Sequence, residues 1–145
     1  MKATGRAGRK GFTISELIMV FVIVIIVTVL MMPFILRSME RTENTLCANN
    51  LRDIGTALYI YAKEHDGKFP SALKALYDEQ YLADEKTMDC PASTNVGTPA
   101  SPDYIYTSGV SVKSPSLDVL ARDKAKNHSG KGKNVLYVNG AVAWE

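Results

Sequence analysis

The chain has 145 residues, 46% apolar and 22% charged, which suits one domain with a modest core and excludes a disordered or low-complexity chain. Seventeen Lys and Arg face 15 Asp and Glu, but Lys2, Arg6, Arg9 and Lys10 all fall in the first eleven residues; the rest carries 13 basic against 15 acidic groups, net −2. The basic excess belongs to the N-terminus and leaves no footprint for nucleic-acid binding.

Leu17–Leu36 is a run of 20 residues without charge, interrupted only by Thr28 and Pro33. At about 1.5 Å per residue it is long enough as a helix to cross a hydrocarbon core of about 30 Å. Its Val and Ile also suit strands, but a lone strand in lipid leaves its backbone groups unpaired, so the run predicts a helix. No second stretch approaches this length, which excludes a polytopic membrane protein. The basic flank before the run favours a cytoplasmic N-terminus, with the remainder of the chain facing outward. The competing reading is a cleaved secretory signal. Such a signal has about 7–15 apolar residues ending in small ones, whereas this run ends Pro33-Phe34-Ile35-Leu36-Arg37. Glu16 stands at the edge of the run. A carboxylate entering a bilayer costs about 2–3 kcal/mol or more, so it is either a snorkelling interfacial group or one that meets a cation after assembly.

Arg9-Lys10-Gly11-Phe12-Thr13-Ile14-Ser15-Glu16-Leu17 resembles the leader junction of prepilins and pseudopilins, the subunits of type IV pili, type II secretion pseudopili and DNA-uptake filaments. The family pattern is a short basic leader ending in Gly, then Phe, then Glu as fifth residue of the processed chain, then a long apolar helix. Ile14-Ser15 departs from the usual apolar pair before the Glu, and Pro33 falls where many members have a kinking proline. The resemblance implies a basic leader over residues 1–11, a transmembrane and assembly helix over 12–36, and a periplasmic or extracytoplasmic head over 37–145. It implies cleavage between Gly11 and Phe12 by a prepilin peptidase and N-methylation of Phe12. Glu16 would pair with the Phe12 ammonium of a neighbouring subunit, which sets register because a misdocked helix leaves two charges bare. The implied function is a pseudopilin of a type II secretion-like machine in the bacterial inner membrane, single-pass, with its N-terminus cytoplasmic. The alternative is a type IV pilin or DNA-uptake subunit built of the same parts. The implied partners are the peptidase, identical or related subunits, and the inner-membrane assembly platform.

Beyond the apolar run, Met39, Leu46, Cys47, Leu51, Ile54, Leu58 and Tyr61 recur mostly at three- and four-residue steps, one face of an amphipathic helix. The spacing predicts a single helix of roughly 50 residues from about Thr13 to His65, ended by Gly67 and Pro70 and kinked or locally melted at Pro33. Ser71 is a candidate N-cap for a short helix with Ala72, Leu73, Leu76, Tyr77 and Tyr81 as its apolar stripe. Residues 83–103, with Pro91, Pro99 and Pro102, read as loop. Tyr104–Thr107, Val110–Val112, Leu117–Ala121, Asn134–Val138 and Ala141–Glu145 are strand candidates. Residues 122–133 read as an exposed polar loop, and Asn139-Gly140 predicts a two-residue hairpin turn. The expected fold is α+β and pilin-like: one long N-terminal helix, membrane-spanning in its first half, packed against a small C-terminal antiparallel sheet. Trp144, the one tryptophan, is expected to be largely buried.

Cys47-Ala-Asn-Asn-Leu51, Gly67-Lys-Phe-Pro70 and Cys90-Pro91 look like prepilin-type chains of some bacterial lineages that often end His…Asp-Gly-x-Val-x-Trp. Here the end is His128…Asn139-Gly140-Ala-Val142-Ala-Trp144, with Asn in place of Asp and the His-to-Gly spacing one longer. Cys47 and Cys90 lie outside the apolar run in an oxidising compartment, where a Cys47–Cys90 disulfide is the natural reading; two free thiols are the alternative, and two cysteines alone make a poor metal site. His65 and His128 stand alone in sequence, His65 near a helix end where a solvated imidazole or dipole partner is the default. Asp84, Glu85, Asp89 and Asp103 share one region. Some major pseudopilins bind calcium through such a loop, but no ligand spacing identifies a site here, and solvated acids are the expectation. Lys124, Lys126, Lys131 and Lys133 read as a solvated cluster. No phosphate loop, metal-spaced His/Cys set or nucleophile motif is present, so neither enzymatic activity nor a cofactor is expected.

Overall fold

The computed structural model describes residues 12–124 and 126–145; the leader and Gly11 lie outside the described residues. The chain divides into two compact units, Met1–Ser38 and Met39–Glu145. A 51-residue helix, α1 (Ile14–Glu64), supplies the described helix of the first unit and the N-terminal element of the second. It continues through Pro33 without interruption.

In the first unit every apolar side chain from Leu17 to Leu36 is exposed, Leu30 at 70%. The hydroxyl within the run is satisfied by its own helix: Thr28 Oγ1 donates to the Val24 carbonyl at 2.8 Å. The segment is long and apolar enough to cross a membrane.

In the second unit, α1 buries Cys47, Leu51, Ile54, Gly55, Ala57, Leu58 and Ala62. The buried stripe is narrower than the spacing suggests, because Met39 and Leu46 face outward and are about half exposed. The helix ends in a left-handed turn: Asp66 has φ 53° and the Gly67 N–H reaches back to the Ala62 carbonyl at 2.7 Å. The short helix α2 (Lys74–Asp78) begins after Leu73, so Ser71 is not its cap. Within residues 83–103 a 3₁₀ turn forms over Glu85–Met88, with Met88 fully buried.

Strands β1 (Tyr104–Tyr106), β2 (Val119–Asp123), β3 (Asn134–Tyr137) and β4 (Val142–Trp144) form an antiparallel meander in the order β1-β2-β3-β4. The long helix and small antiparallel sheet make the α+β arrangement that the sequence predicts. Val110–Val112 does not join the sheet; Ser111 bridges Lys68, just past the end of α1. Tyr106, Ala121, Leu136 and Val142 line up across the four strands, and all four belong to or pack on the core with α1. Leu136 is fully buried and meets α1 at Gly55, where an added Cβ would lie 3.1 Å from Leu136 Cδ1.

The β3–β4 connection differs from a two-residue turn. Gly140 N–H bonds the Tyr137 carbonyl at 2.9 Å, Tyr137 N–H bonds the Ala141 carbonyl, and of Asn139 and Gly140 only Gly140 has positive φ, +82°. This is a three-residue loop with a bulge at the glycine. Its geometry is fixed from outside: Val138 N–H bonds the Asp118 carbonyl and Asn139 N–H the Ser116 carbonyl.

Candidate functional site

Two groups of residues carry unusual chemistry, one in each unit. At the start of α1, Thr13 and Glu16 form a reciprocal cap. Thr13 N–H and Thr13 Oγ1 each donate to Glu16 Oε2 at 2.9 Å, and Glu16 N–H points back to Thr13 Oγ1 at 3.4 Å. Thr-x-x-Glu before an apolar run is the capping-box pattern, a signal readable in the sequence. Glu16 thus has a local structural role within a single chain, beside Phe12, which is 87% exposed. Pro33 is in the apolar helix, and Gly11 lies outside the described residues.

The second group lies where the sheet meets α1. Strand alternation puts Tyr104, Asp123, Asn134 and Trp144 on the same sheet face as the core row, one step further along the strands. Asp123, 1% exposed, is its centre. His128 Nε2, Asn134 N–H and Asn134 Nδ2 all donate to Asp123 Oδ2, each at 2.8 Å, while Asp123 Oδ1 is buried with no hydrogen-bond partner among the described residues. Asn134 Nδ2 also bonds Asn44 Oδ1 of α1 at 2.8 Å. His128, 4% exposed, has its Nε2 3.7 Å from Cys90 Sγ, and Cys90 is joined to Cys47 with the Cα atoms 5.1 Å apart. Asn127 Nδ2 donates to the Asp103 carbonyl at 3.0 Å.

Residues 122–133 are therefore not a solvated loop, since Asp123, Asn127 and His128 are all buried. The acid beside His128 is Asp123, five residues before it, rather than a residue near Asn139. Trp144 is 45% exposed, not largely buried, because it ends the edge strand; its ring stands edge-on to His128 with centroids 5.2 Å apart. Gly132 permits this packing, as a Cβ there would collide with Trp144 Cζ2.

The remaining candidates are occupied locally. Asp84 Oδ1 accepts from Lys86 N–H, and Asp89 Oδ1 accepts from Gly97 N–H at 2.7 Å. Asp103 is buried rather than solvated, and its carboxylate takes the Cys90 N–H at 3.4 Å. In the basic cluster, Lys131 pairs with Glu40 at 2.7 Å, Lys133 with Glu145 at 3.3 Å, and Lys124 sits 3.8 Å from Asp103. His65 stacks on Tyr61, with Nδ1 2.9 Å from the Tyr61 carbonyl, near the end of α1 as expected. Tyr81 is pushed up to about 12 by its hydrogen bond to Glu64, and burial raises Tyr104 and Tyr106 well above the usual phenol range.

A groove of about 770 Å³ runs along the second half of α1, lined by Arg52, Thr56, Tyr59, Ile60, Lys63 and Val112 among others. Among the described residues its lining holds no carboxylate, imidazole or thiol. No family model matches the chain, and no curated protein or solved structure matches it either.

Proposed function

We propose that this protein is a pseudopilin of a type II secretion-like machine, a non-enzymatic subunit that is cut at Gly11–Phe12 and assembled through its N-terminal helix. The observation that carries the reading is the charge-free helical run Leu17–Leu36, wholly exposed, entered through Glu16 and Phe12. Such a surface needs an apolar cover, first lipid and then neighbouring helices. Cleavage would remove Lys2, Arg6, Arg9 and Lys10 and create an ammonium on Phe12. The neighbour's ammonium would then meet a carboxylate that the Thr13 cap already holds at the helix start. An unpaired carboxylate inside an apolar bundle is costly, so only the correctly stepped docking offsets it.

Intact-mass analysis from a host with the peptidase tests the reading. The mature chain should lack residues 1–11 and carry one extra methyl group, and Gly11→Leu should block the cut. A mature chain that still begins at Met1 overturns the reading. Glu16→Ala should leave insertion and cleavage intact but impair assembly; filaments of this variant at wild-type yield would refute the pairing. A type IV pilin or DNA-uptake subunit shares these parts, and a retraction ATPase encoded beside the gene would favour it over a secretion pseudopilin.

A further inference from the structure

We propose that Cys47, Cys90 and His128, completed by Asp123, bind one zinc-class divalent cation when the Cys47–Cys90 bond is open. The two sulfurs and a nitrogen of His128 all lie within 4.8 Å of one another, and all three residues are buried. With metal–sulfur bonds of about 2.3 Å and metal–nitrogen bonds of about 2.0–2.1 Å, tetrahedral ligands sit about 3.5–3.8 Å apart. His128 Nε2 and Cys90 Sγ are already at 3.7 Å. The sulfurs, bonded to each other in the disulfide, would have to separate to about 3.8 Å to admit an ion.

The surroundings fit a cation as well. Asp123 Oδ2 is 2.8 Å from His128 Nε2, and Asp123 Oδ1 is buried without a partner among the described residues. Two donors from Asn134 hold the carboxylate in place, the outer-sphere support that orients metal ligands. Two thiolates, an imidazole and a carboxylate are donor types that zinc takes. Buried thiols that lose their protons need a positive charge between them, which the ion supplies. Every chain passes through the dithiol state, because the disulfide forms after synthesis.

The chemistry balances with a water-soluble phosphine as reductant. Phosphorus takes an oxygen from water to become the phosphine oxide, and the disulfide gains two electrons and two protons to become two thiols. The cation displaces both thiol protons, and the His128 proton that Nε2 donates to Asp123 moves to Nδ1, which leaves Nε2 free to bind.

The test uses the full chain in detergent micelles, reduced with the phosphine in mild denaturant, returned to metal-free buffer and titrated with Co²⁺. The expected result is one Co²⁺ per chain, with a thiolate-to-metal charge-transfer band and the strong visible bands of tetrahedral cobalt, both abolished by Zn²⁺. The oxidised chain should show neither. His128→Asn should weaken Co²⁺ binding by more than about tenfold, and Asp123→Asn should shift the visible bands while keeping the charge transfer. Absence of the charge-transfer band in the reduced wild type overturns the proposal, as does His128→Asn binding Co²⁺ as tightly as wild type. Visible bands unchanged in Asp123→Asn remove Asp123 from the ligand set. If reduction unfolds the head, Zn²⁺ should restore its near-ultraviolet circular dichroism; a chain that stays unfolded with Zn²⁺ also overturns it. None of these readouts depends on filament assembly or on cleavage at Gly11.

Discussion

Replacing Asp123 by alanine removes the acceptor on which three buried donors converge. The substitution strands the His128 Nε2–H and the Asn134 N–H, while Asn134 Nδ2 keeps its bond to Asn44 Oδ1. Each buried donor left unpaired costs about 1–3 kcal/mol. Against this, the variant also discards Asp123 Oδ1, whose own burial with no partner among the described residues is unfavourable. The balance is a loss of about 2–4 kcal/mol, a large share of the roughly 5–15 kcal/mol that holds a domain together. Asp123→Asn keeps an acceptor oxygen and should cost less. The fragment Met39–Glu145 contains every buried hydrophobic residue of the core and should unfold cooperatively, with Trp144 fluorescence as one probe and far-ultraviolet circular dichroism as the other. Urea midpoints and slopes of wild type, Asp123→Ala and Asp123→Asn give the two differences. A loss below about 0.5 kcal/mol for Asp123→Ala, within the range of an ordinary surface change, would refute the view that this carboxylate organises the junction of helix and sheet.

Cys47→Ser should destabilise the same fragment by about 2–5 kcal/mol, since the bond closes a 43-residue separation; an unchanged midpoint would show that the bond does not constrain the unfolded chain. Gly132→Ala should displace the Trp144 ring from His128, cost about 1–3 kcal/mol as an overpacked site does, and move the Trp144 emission to the red; identical emission and midpoint would refute the close contact. Tyr104 and Tyr106 are raised by burial above the ordinary value of about 10, so the unfolded chain loses their protons first. The stability tied to these neutral phenols is complete below pH 10 and declines as pH rises above it. Absorbance titration should therefore show some of the seven tyrosines ionising early and these two only with unfolding; one step near pH 10 with tertiary structure intact would contradict the assignment.

The helix and strands were legible because their signals are local. Leu51, Ile54 and Leu58 repeat at helical spacing, and β1, β3 and β4 fall within the stretches marked by alternation and β-branched or aromatic residues. The cap of α1 was equally local, since Thr13 and Glu16 are three residues apart. The Asp123–His128 pair was not legible, because a charged residue followed by Lys, Asn and Gly has the composition of a solvated loop. Only the closure of β2 against β3 brings Asp123 onto the Asn134 backbone and turns that polarity inward. The turn at Asn139-Gly140 follows the same rule. Its dipeptide favours a two-residue loop, but the bonds from Val138 to Asp118 and from Asn139 to Ser116, distant in the chain, select the longer one.

The meander places all four strands after the helix they cover, which imposes a schedule on synthesis. The face of α1 that carries Leu51, Ile54 and Leu58 has no complete cover until Leu136 and Val138 have been made. At roughly 5–20 residues per second, translation leaves an interval of several seconds between the last buried turn of α1 and β3. During that time a nascent chain presents one uncovered apolar stripe directly behind a second, longer one. The two differ in what relieves them: the sheet covers the stripe at 47–62, whereas the apolar side chains of 17–36 are still exposed in the folded chain. A chain released early, short of β3, would keep both exposed, so truncated products should be aggregation-prone and rapidly degraded, and ribosome stalling before residue 134 should be more damaging than stalling after it.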